Sequence, residues 1–242
     1  DMNLTDTVNK FNDPLLDGKR KIVLKLSKIP FYEQKSDEWL LQRTKCLTAT
    51  AVCTALDEDP YESPLGLLLN KCGRGQPFIQ NSNVHYGRKY EQIGTLFYQT
   101  RNNVKIMEHG LLQHPDHEFI GASPDGICMA ERYDEQGLST LVGRMLEIKL
   151  PELRNLKDSG RLNGDIVPHH YYLQMQVQMW TTGLTECDFL QCKTEEYESF
   201  EDYVLDTHPV IPTLSNKTGM EKGCLIQLLP KEHIATMPYS EC

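Results

Sequence analysis

The sequence predicts an α+β or mixed α/β fold, and three observations carry that expectation. Apolar and aromatic residues recur at helical spacing in "NSNVHYGRKYEQIGTLFYQTRNN" (Tyr86, Tyr90, Ile93, Phe97). Short apolar runs separated by turn residues follow between 104 and 150, and "PHHYYLQMQVQMWTTG" then reads as a helix ahead of the strand-like "ECDFLQCKT". Helices, a run of strands, then a helix and a strand is an order that suits one layered domain.

Taken along the chain, residues 1 to 30 read as a loose arm in which Ile22, Val23, Leu24 and Leu26 form a short strand. "KSDEWLLQRTKCLTATAVCTALDEDP" offers a helix start at Ser36 or Asp37, a short helix with Trp39, Leu40 and Arg43, and a second helix from Thr48 or Thr50 that Asp59-Pro60 closes. In the long helix Tyr86, Tyr90 and Phe97 are assigned to the core, and Glu91 points sideways from their stripe. "VKIMEHGLLQHPDHEFIGASPDG" gives two strands joined at His114-Pro115-Asp116, with Asp125 at a strand end. "ICMAERYDEQGLSTLVGRMLEIKL" repeats that plan around a turn at 134–137. The last helix starts after Pro168 and stops at Gly183.

The chain has 242 residues, 39% of them hydrophobic, and so can bury a sizeable core. The expected division is a single domain, with an arm over 1–30, a catalytic core over 31–205 and an extension over 206–242. No apolar run approaches the ~20 residues of a membrane span, and eight scattered cysteines without a CxxC pair point to reduced thiols. Both suit an intracellular protein. A net charge of -9 opposes nonspecific attraction to nucleic acid, so any grip on a polyanion must be local.

Chemistry concentrates in "GASPDG" and "LEIKLP". Strand alternation puts Glu147 and Lys149 on one face and Leu146, Ile148 and Leu150 on the other. If the strands form a meander, Asp125 lies next door, and oxygen ligands of that kind suit Mg²⁺ or Mn²⁺. An isolated E-x-K is more often a surface ion pair. The longer arrangement, P-D followed some twenty residues later by an E-x-K among apolar residues, matches the PD-(D/E)XK nuclease pattern.

Five segments in order, "EWLLQRTKCLTAT", "YGRKYEQIGTLF", "GASPDG", "LEIKLP" and "YYLQMQVQMWTTG", resemble the phage lambda-type 5′→3′ exonucleases, the viral recombination or alkaline exonuclease family of that superfamily. The resemblance runs from about Glu38 to Gly183. It implies a restriction-endonuclease-like core, a central mixed β-sheet flanked by helices. It implies metal ligation by Asp125, Glu147, the Ile148 carbonyl and Glu91, with two ions of Mg²⁺ or Mn²⁺ per active site. Lys149 is implied as the catalytic lysine and Gln174 as the group orienting water or that lysine. Arg43 would hold a terminal 5′-phosphate, with Thr50 in the family's serine position, and Ser123 and Tyr171 would touch DNA. The implied activity is stepwise hydrolysis of linear duplex DNA from a 5′-phosphorylated end, leaving 3′ single strands for recombination and repair. Double-stranded DNA ends, a single-strand annealing protein and two further copies of the chain in a ring-shaped homotrimer are the implied partners. For a viral protein the host cytoplasm or nucleus is the implied location.

The gap between "PDG" and "LEIK" is longer than in the phage enzyme, which implies an extended hairpin. A zinc site on His109, His114, His117, His169 and His170 is disfavoured by their placement at turns, and an iron-sulfur cluster on Cys187 and Cys192 by the lack of a close cysteine triplet. Two rival functions stay open. One is an endonuclease of the same superfamily acting within DNA or on RNA. The other is a non-catalytic nucleic-acid-binding or assembly protein on the same scaffold.

Overall fold

The computed structural model describes residues 14–32, 36–75, 82–131 and 139–226. They belong to two compact units, one up to Lys193 and one from Thr194, so the boundary falls ahead of the position 205 drawn from sequence.

Helix α1 (Pro14–Leu26) replaces the strand expected there. A strand would turn Ile22, Leu24 and Leu26 to one side, whereas Lys19, Val23 and Leu26 are buried and Leu24 is 58% exposed. Spacing of four and three residues is the helical one, and the run of β-branched residues misleads a local reading. Helix α2 (Asp37–Lys45) opens as expected, with Ser36 Oγ accepting the Trp39 N–H at 3.2 Å.

The next segment differs from expectation. Strand β1 (Leu47–Thr48) runs into a 3₁₀ turn (Ala49–Ala51) and a four-residue helix α3 (Val52–Ala55), so Thr50 lies inside the turn and does not open an α-helix. Helix α3 stops before Asp59-Pro60. Thr54 Oγ1 donates to Asp59 Oδ2 at 2.6 Å and the Tyr61 N–H to Asp59 Oδ1 at 2.8 Å, a side-chain network that competes with helix continuation. Helix α4 (Pro64–Lys71) is capped by Ser63, and the long helix α5 (Ser82–Asn102) forms where its periodicity placed it.

Two mixed sheets stand where one central sheet was expected. In the first, the order is β1, β4 (Ile120–Ala122), β3 (Leu112–Gln113), with β1 parallel and β3 antiparallel to β4. In the second it is β2 (Ile106–Met107), β5 (Gly126–Cys128), β6 (Met145–Lys149), β7 (Cys187–Gln191), antiparallel except for the parallel β6–β7 pair. The chain passes from one sheet to the other through Ser123-Pro124-Asp125, and Pro124 has no N–H with which to continue a ladder. The His114–Asp116 turn forms between β3 and β4; the turn expected at 134–137 lies outside the described residues.

Helix α6 (His169–Thr182) is closed by Gly183 in the left-handed region (φ 73°), as its position after the helix predicts. The second sheet has a core on each face. Met145 and Ile127 pack with Val23 and Leu26 of α1, while Leu146, Ile148 and Leu150 pack with Tyr90 and Tyr98 of α5. Gly94 makes the second contact close, since a Cβ there would stand 2.8 Å from Ile148 Cγ2. Phe97, expected in the core, is only half-buried and lies under the Arg101 guanidinium at 4.0 Å. Tyr98 takes the core place and donates its hydroxyl to Asp188 Oδ2 at 2.6 Å.

The second unit contains helix α7 (Phe200–Leu205) and a turn-rich segment gathered on one carboxylate. Asp206 accepts from Tyr197 Oη and Ser215 Oγ, both at 2.7 Å, and from the Lys217 N–H at 2.8 Å.

Candidate active site

Glu147 sits in the middle of β6 with no exposed surface. Its oxygens are held on one side by the strand and on the other by α6. Lys149 Nζ and Gln174 Nε2 donate to Oε1 at 2.5 and 2.7 Å, and Gln178 Nε2 donates to Oε2 at 2.7 Å. Gln174 and Gln178 are four residues apart, on one helix face. That stripe reads as surface in isolation; here both glutamines are buried, because the strand beneath carries a carboxylate. Gln174 therefore touches Glu147 and not Lys149, although the two share an acceptor. Gln176 lies on a different face, lining a cavity of about 590 Å³ with Phe97, Arg101 and Tyr172.

Asp125 enters from the crossover between the sheets. Its Oδ2 accepts the Ile148 N–H at 2.6 Å, which fixes the carboxyl against β6 one step beyond the Gly126–Leu146 pair. The N–H and C=O of one strand residue project to the same edge, so the Ile148 carbonyl also faces the Asp125 side. Burial, followed by repulsion from Glu147, pushes the Asp125 carboxyl up to about 7, against the pull of Lys149 and the Ile148 N–H. Glu91 is in electrostatic range of Glu147 and Lys149, and desolvation of its carboxyl raises its pKa. Burial would lower the Lys149 pKa, but Glu147 and Asp125 outweigh it and hold the ammonium well above its ordinary value. Its Nζ also stands 4.7 Å from the centre of the Tyr171 ring.

Oxygen donors of this type suit a hard divalent cation. Asp125, Glu147 and Glu91 bring three carboxyls against one ammonium, with a backbone carbonyl on the same edge. A carboxylate offers about four acceptor positions, and three are used on Glu147. Close by in sequence, the buried Ser123 Oγ has no hydrogen-bond partner among the described residues. Among those residues no three His, Cys, Asp or Glu side chains stand in a ligating arrangement.

Arg43 and Thr50 line a second cavity of about 500 Å³, together with Thr48, Thr54, Asp59 and Lys71. Arg43 stacks on Trp39, its Cζ 4.6 Å from the ring centre, and Thr48 and Thr50 share a hydroxyl hydrogen bond at 3.0 Å. Sequence reasoning passed over Lys71. Its Nζ donates to the carbonyls of Arg43 and Cys46 at 2.6 and 2.7 Å, which ties α4 to the end of α2 and puts a second cation beside the guanidinium. Desolvation, then repulsion from Arg43, lowers its pKa. Nothing local marks Lys71; only the tertiary fold brings it there.

The remaining histidines do other work. His114 packs on Trp180 at 4.4 Å and on His117 at 4.8 Å, while His169 bonds Asn163 and Glu58 at 2.9 and 2.8 Å. Seven cysteines are described, all as free thiols. No helix among the described residues is long and apolar enough to cross a membrane.

Comparison with known proteins agrees with this architecture. The chain is 57% identical to protein R354 of Acanthamoeba polyphaga mimivirus over 217 residues, covering 90% of this chain and 39% of that protein. It is 25% identical to protein YqaJ of Bacillus subtilis (strain 168) over 153 residues, 62% of this chain and 44% of that one. The chain thus spans about two fifths of the length of these relatives. Among solved structures, the dAMP complex of LHK-Exo, an alkaline exonuclease from Laribacter hongkongensis, superposes with a TM-score of 0.50 at 23% identity, over 69% of this chain and 78% of that one. That likeness is one of fold. Residues 38–185, more than half of the chain and nearly all of α2 through α6, match the YqaJ-like viral recombinase domain. It is to the family defined by that domain that this chain belongs.

Proposed function

We infer that the domain is a metal-dependent 5′→3′ exodeoxyribonuclease that hydrolyses linear duplex DNA from a 5′-phosphorylated end and leaves 3′ single strands for recombination. The observation that carries this reading is the buried Glu147, held by Lys149, Gln174 and Gln178 beside Asp125. Burying carboxylates and a lysine costs stability that pairing and hydrogen bonds only partly offset, and a cost of that kind is expected where the groups serve chemistry. LHK-Exo, which shares the fold, is an alkaline exonuclease.

Mg²⁺ or Mn²⁺ bound by Asp125, Glu147, the Ile148 carbonyl and Glu91 would supply Lewis acidity at a phosphate oxygen and a more acidic water. The chain's own groups do the rest. Lys149, held beside Glu147, would stabilise negative charge growing on the phosphate. Tyr171 and Glu147 Oε1 fix the direction of its ammonium, and Gln174 and Gln178 keep Glu147 from rotating. Arg43 and Lys71, with the Thr48 and Thr50 hydroxyls, would hold a terminal phosphate dianion in a cavity that Asp59 and Glu62 also line. The grip rests on side chains, since Thr50 opens no α-helix. Holding the end phosphate there sets which bond meets the acidic cluster.

The test is incubation of a 5′-phosphorylated linear duplex with the protein and Mg²⁺, read as mononucleotide release. Release by the parent protein and none by Lys149→Ala is expected. Equal cutting of closed circles would point to an endonuclease, and no release by the parent to a binding module.

A further inference from the structure

An aromatic path joins the two halves of the site. Tyr61, in the loop between α3 and α4, meets His170 edge to face, with ring centres 5.8 Å apart and planes at 84°. His170 lies against Tyr171 at 4.0 Å, and Tyr171 carries Lys149 Nζ at 4.7 Å. At the other end, the Tyr61 N–H donates to Asp59, which lines the Arg43 cavity. The loop is fixed in place by Thr54 on Asp59 and by Glu58 on His169, at 2.6 and 2.8 Å. Tyr61 is nevertheless 83% exposed. An aromatic ring held edge-on by its neighbour, with its own surface open to water, offers a face for stacking.

We propose that Tyr61, backed by His170, is the platform on which the base of the 5′-terminal nucleotide stacks, between the Arg43 pocket and Lys149. The proposal rests on the exonuclease reading above and deepens it. One nucleoside separates two successive phosphates of a strand. If the end phosphate occupies the Arg43 cavity and the next one meets Lys149, the nucleoside between them lies along the Tyr61–His170–Tyr171 path. Every base has a π-face, so a stacking platform holds any terminal nucleotide without reading its identity, which suits an enzyme that must remove each in turn. His170 serves as a neutral ring there and not as a further phosphate cation, since burial lowers its pKa.

The test uses the full chain and two small probes, dAMP and 2-deoxyribose 5-phosphate, which carries the same phosphate and sugar but no base. By calorimetry dAMP should bind about fivefold tighter or more, the amount one base–aromatic stack contributes. Tyr61→Ala should erase that difference while leaving the base-free probe unchanged, and Tyr61→Phe should keep it. Tyr61 is so exposed that neither variant should disturb folding. In nucleotide release from duplex ends, Tyr61→Ala should raise KM for an ordinary 5′-phosphorylated end and leave an abasic 5′-phosphorylated end unaffected. Equal binding of the two probes by the parent, or equal loss of both on Tyr61→Ala, overturns the platform. Nucleotide release by the parent that is indifferent to Tyr61→Ala overturns the platform and leaves the exonuclease standing, whereas no release by the parent removes both.

Discussion

Gln178 donates its side-chain amide to Oε2 of Glu147 at 2.7 Å, and neither residue exposes any surface. A helix thereby hands a buried strand carboxylate the partner that water would otherwise supply. Replacing Gln178 by Leu removes the donor and leaves Oε2 unsatisfied. Hydrogen bonds to charged groups contribute about 1.5–3 kcal/mol, so Gln178→Leu should lower the unfolding free energy by roughly 2 kcal/mol in a urea titration. The double variant Glu147→Leu/Gln178→Leu should recover part of that, since an apolar pair leaves nothing unpaired. A denaturation curve for Gln178→Leu that overlays the parent would mean that Glu147 draws its support from elsewhere.

Asp125 should make the folded state, and any metal binding at the site, sensitive to pH. Its carboxyl is held up to about 7 by burial and by Glu147, above the unfolded value of about 4. The folded protein therefore keeps an extra proton between those two values, and this group's contribution to stability falls as pH rises through that window. A bound cation reverses the repulsion. In EDTA, Asp125→Asn should melt at a higher temperature than the parent at pH 8 and close to it at pH 5. Saturating Mg²⁺ should raise the parent's melting temperature more at pH 8 than at pH 5.5, since at the lower pH it must displace a proton. An Mg²⁺ shift that persists in Asp125→Asn would remove Asp125 from the ligand set.

Arg43 and Lys71 should divide their effects. Arg43 faces the cavity from its stack on Trp39, so Arg43→Ala should lower kcat/KM on 5′-phosphorylated ends roughly 10- to 100-fold, the loss of one or two charge-assisted bonds. On 5′-hydroxyl ends it should change little. Lys71 also ties down two backbone carbonyls, so Lys71→Met should weaken both phosphate discrimination and thermal stability. Parallel rate measurements on the two kinds of end decide the matter, and equal loss on both would place Arg43 outside the phosphate pocket.

The sequence made the chemistry more legible than the architecture, and particular residues show why. Glu147 and Lys149 carry charges within an apolar strand and Asp125 one at a strand end, a signal that survives without coordinates, and the structure brings them together. Gln174 stands out in the sequence only through the family resemblance, and the burial of Gln174 and Gln178 depends on what lies opposite. Val23 misled because β-branched residues favour strands locally, while its partners in the core, Met145 and Leu184, are far along the chain. Lys71, Tyr61 and His170 carry no motif, and their surroundings arise from which helices and loops the fold sets side by side. Pro124, which reads in isolation as part of a metal motif, lies where the chain passes from one sheet to the other and has no N–H to offer a ladder.

The unit beginning at Thr194 should be acid-labile through one group. Hydrogen bonds from Ser215 and Tyr197 and the Lys217 N–H hold the Asp206 carboxyl down at about 2. A depressed folded-state pKa means that this stabilisation is fully present above the unfolded value of about 4 and is lost as pH falls toward the folded one. Three segments of the unit meet on that carboxylate, and Lys222 adds a contact at 3.8 Å with the Tyr203 ring, so protonation should loosen them together. Pepsin should then cut between 194 and 226 faster at pH 2.5 than at pH 4.5, beyond the protease's own pH dependence measured on an unfolded reference peptide. Asp206→Asn should be cut readily at both. If the parent's corrected rates match at the two pH values, Asp206 is not the keystone of this unit.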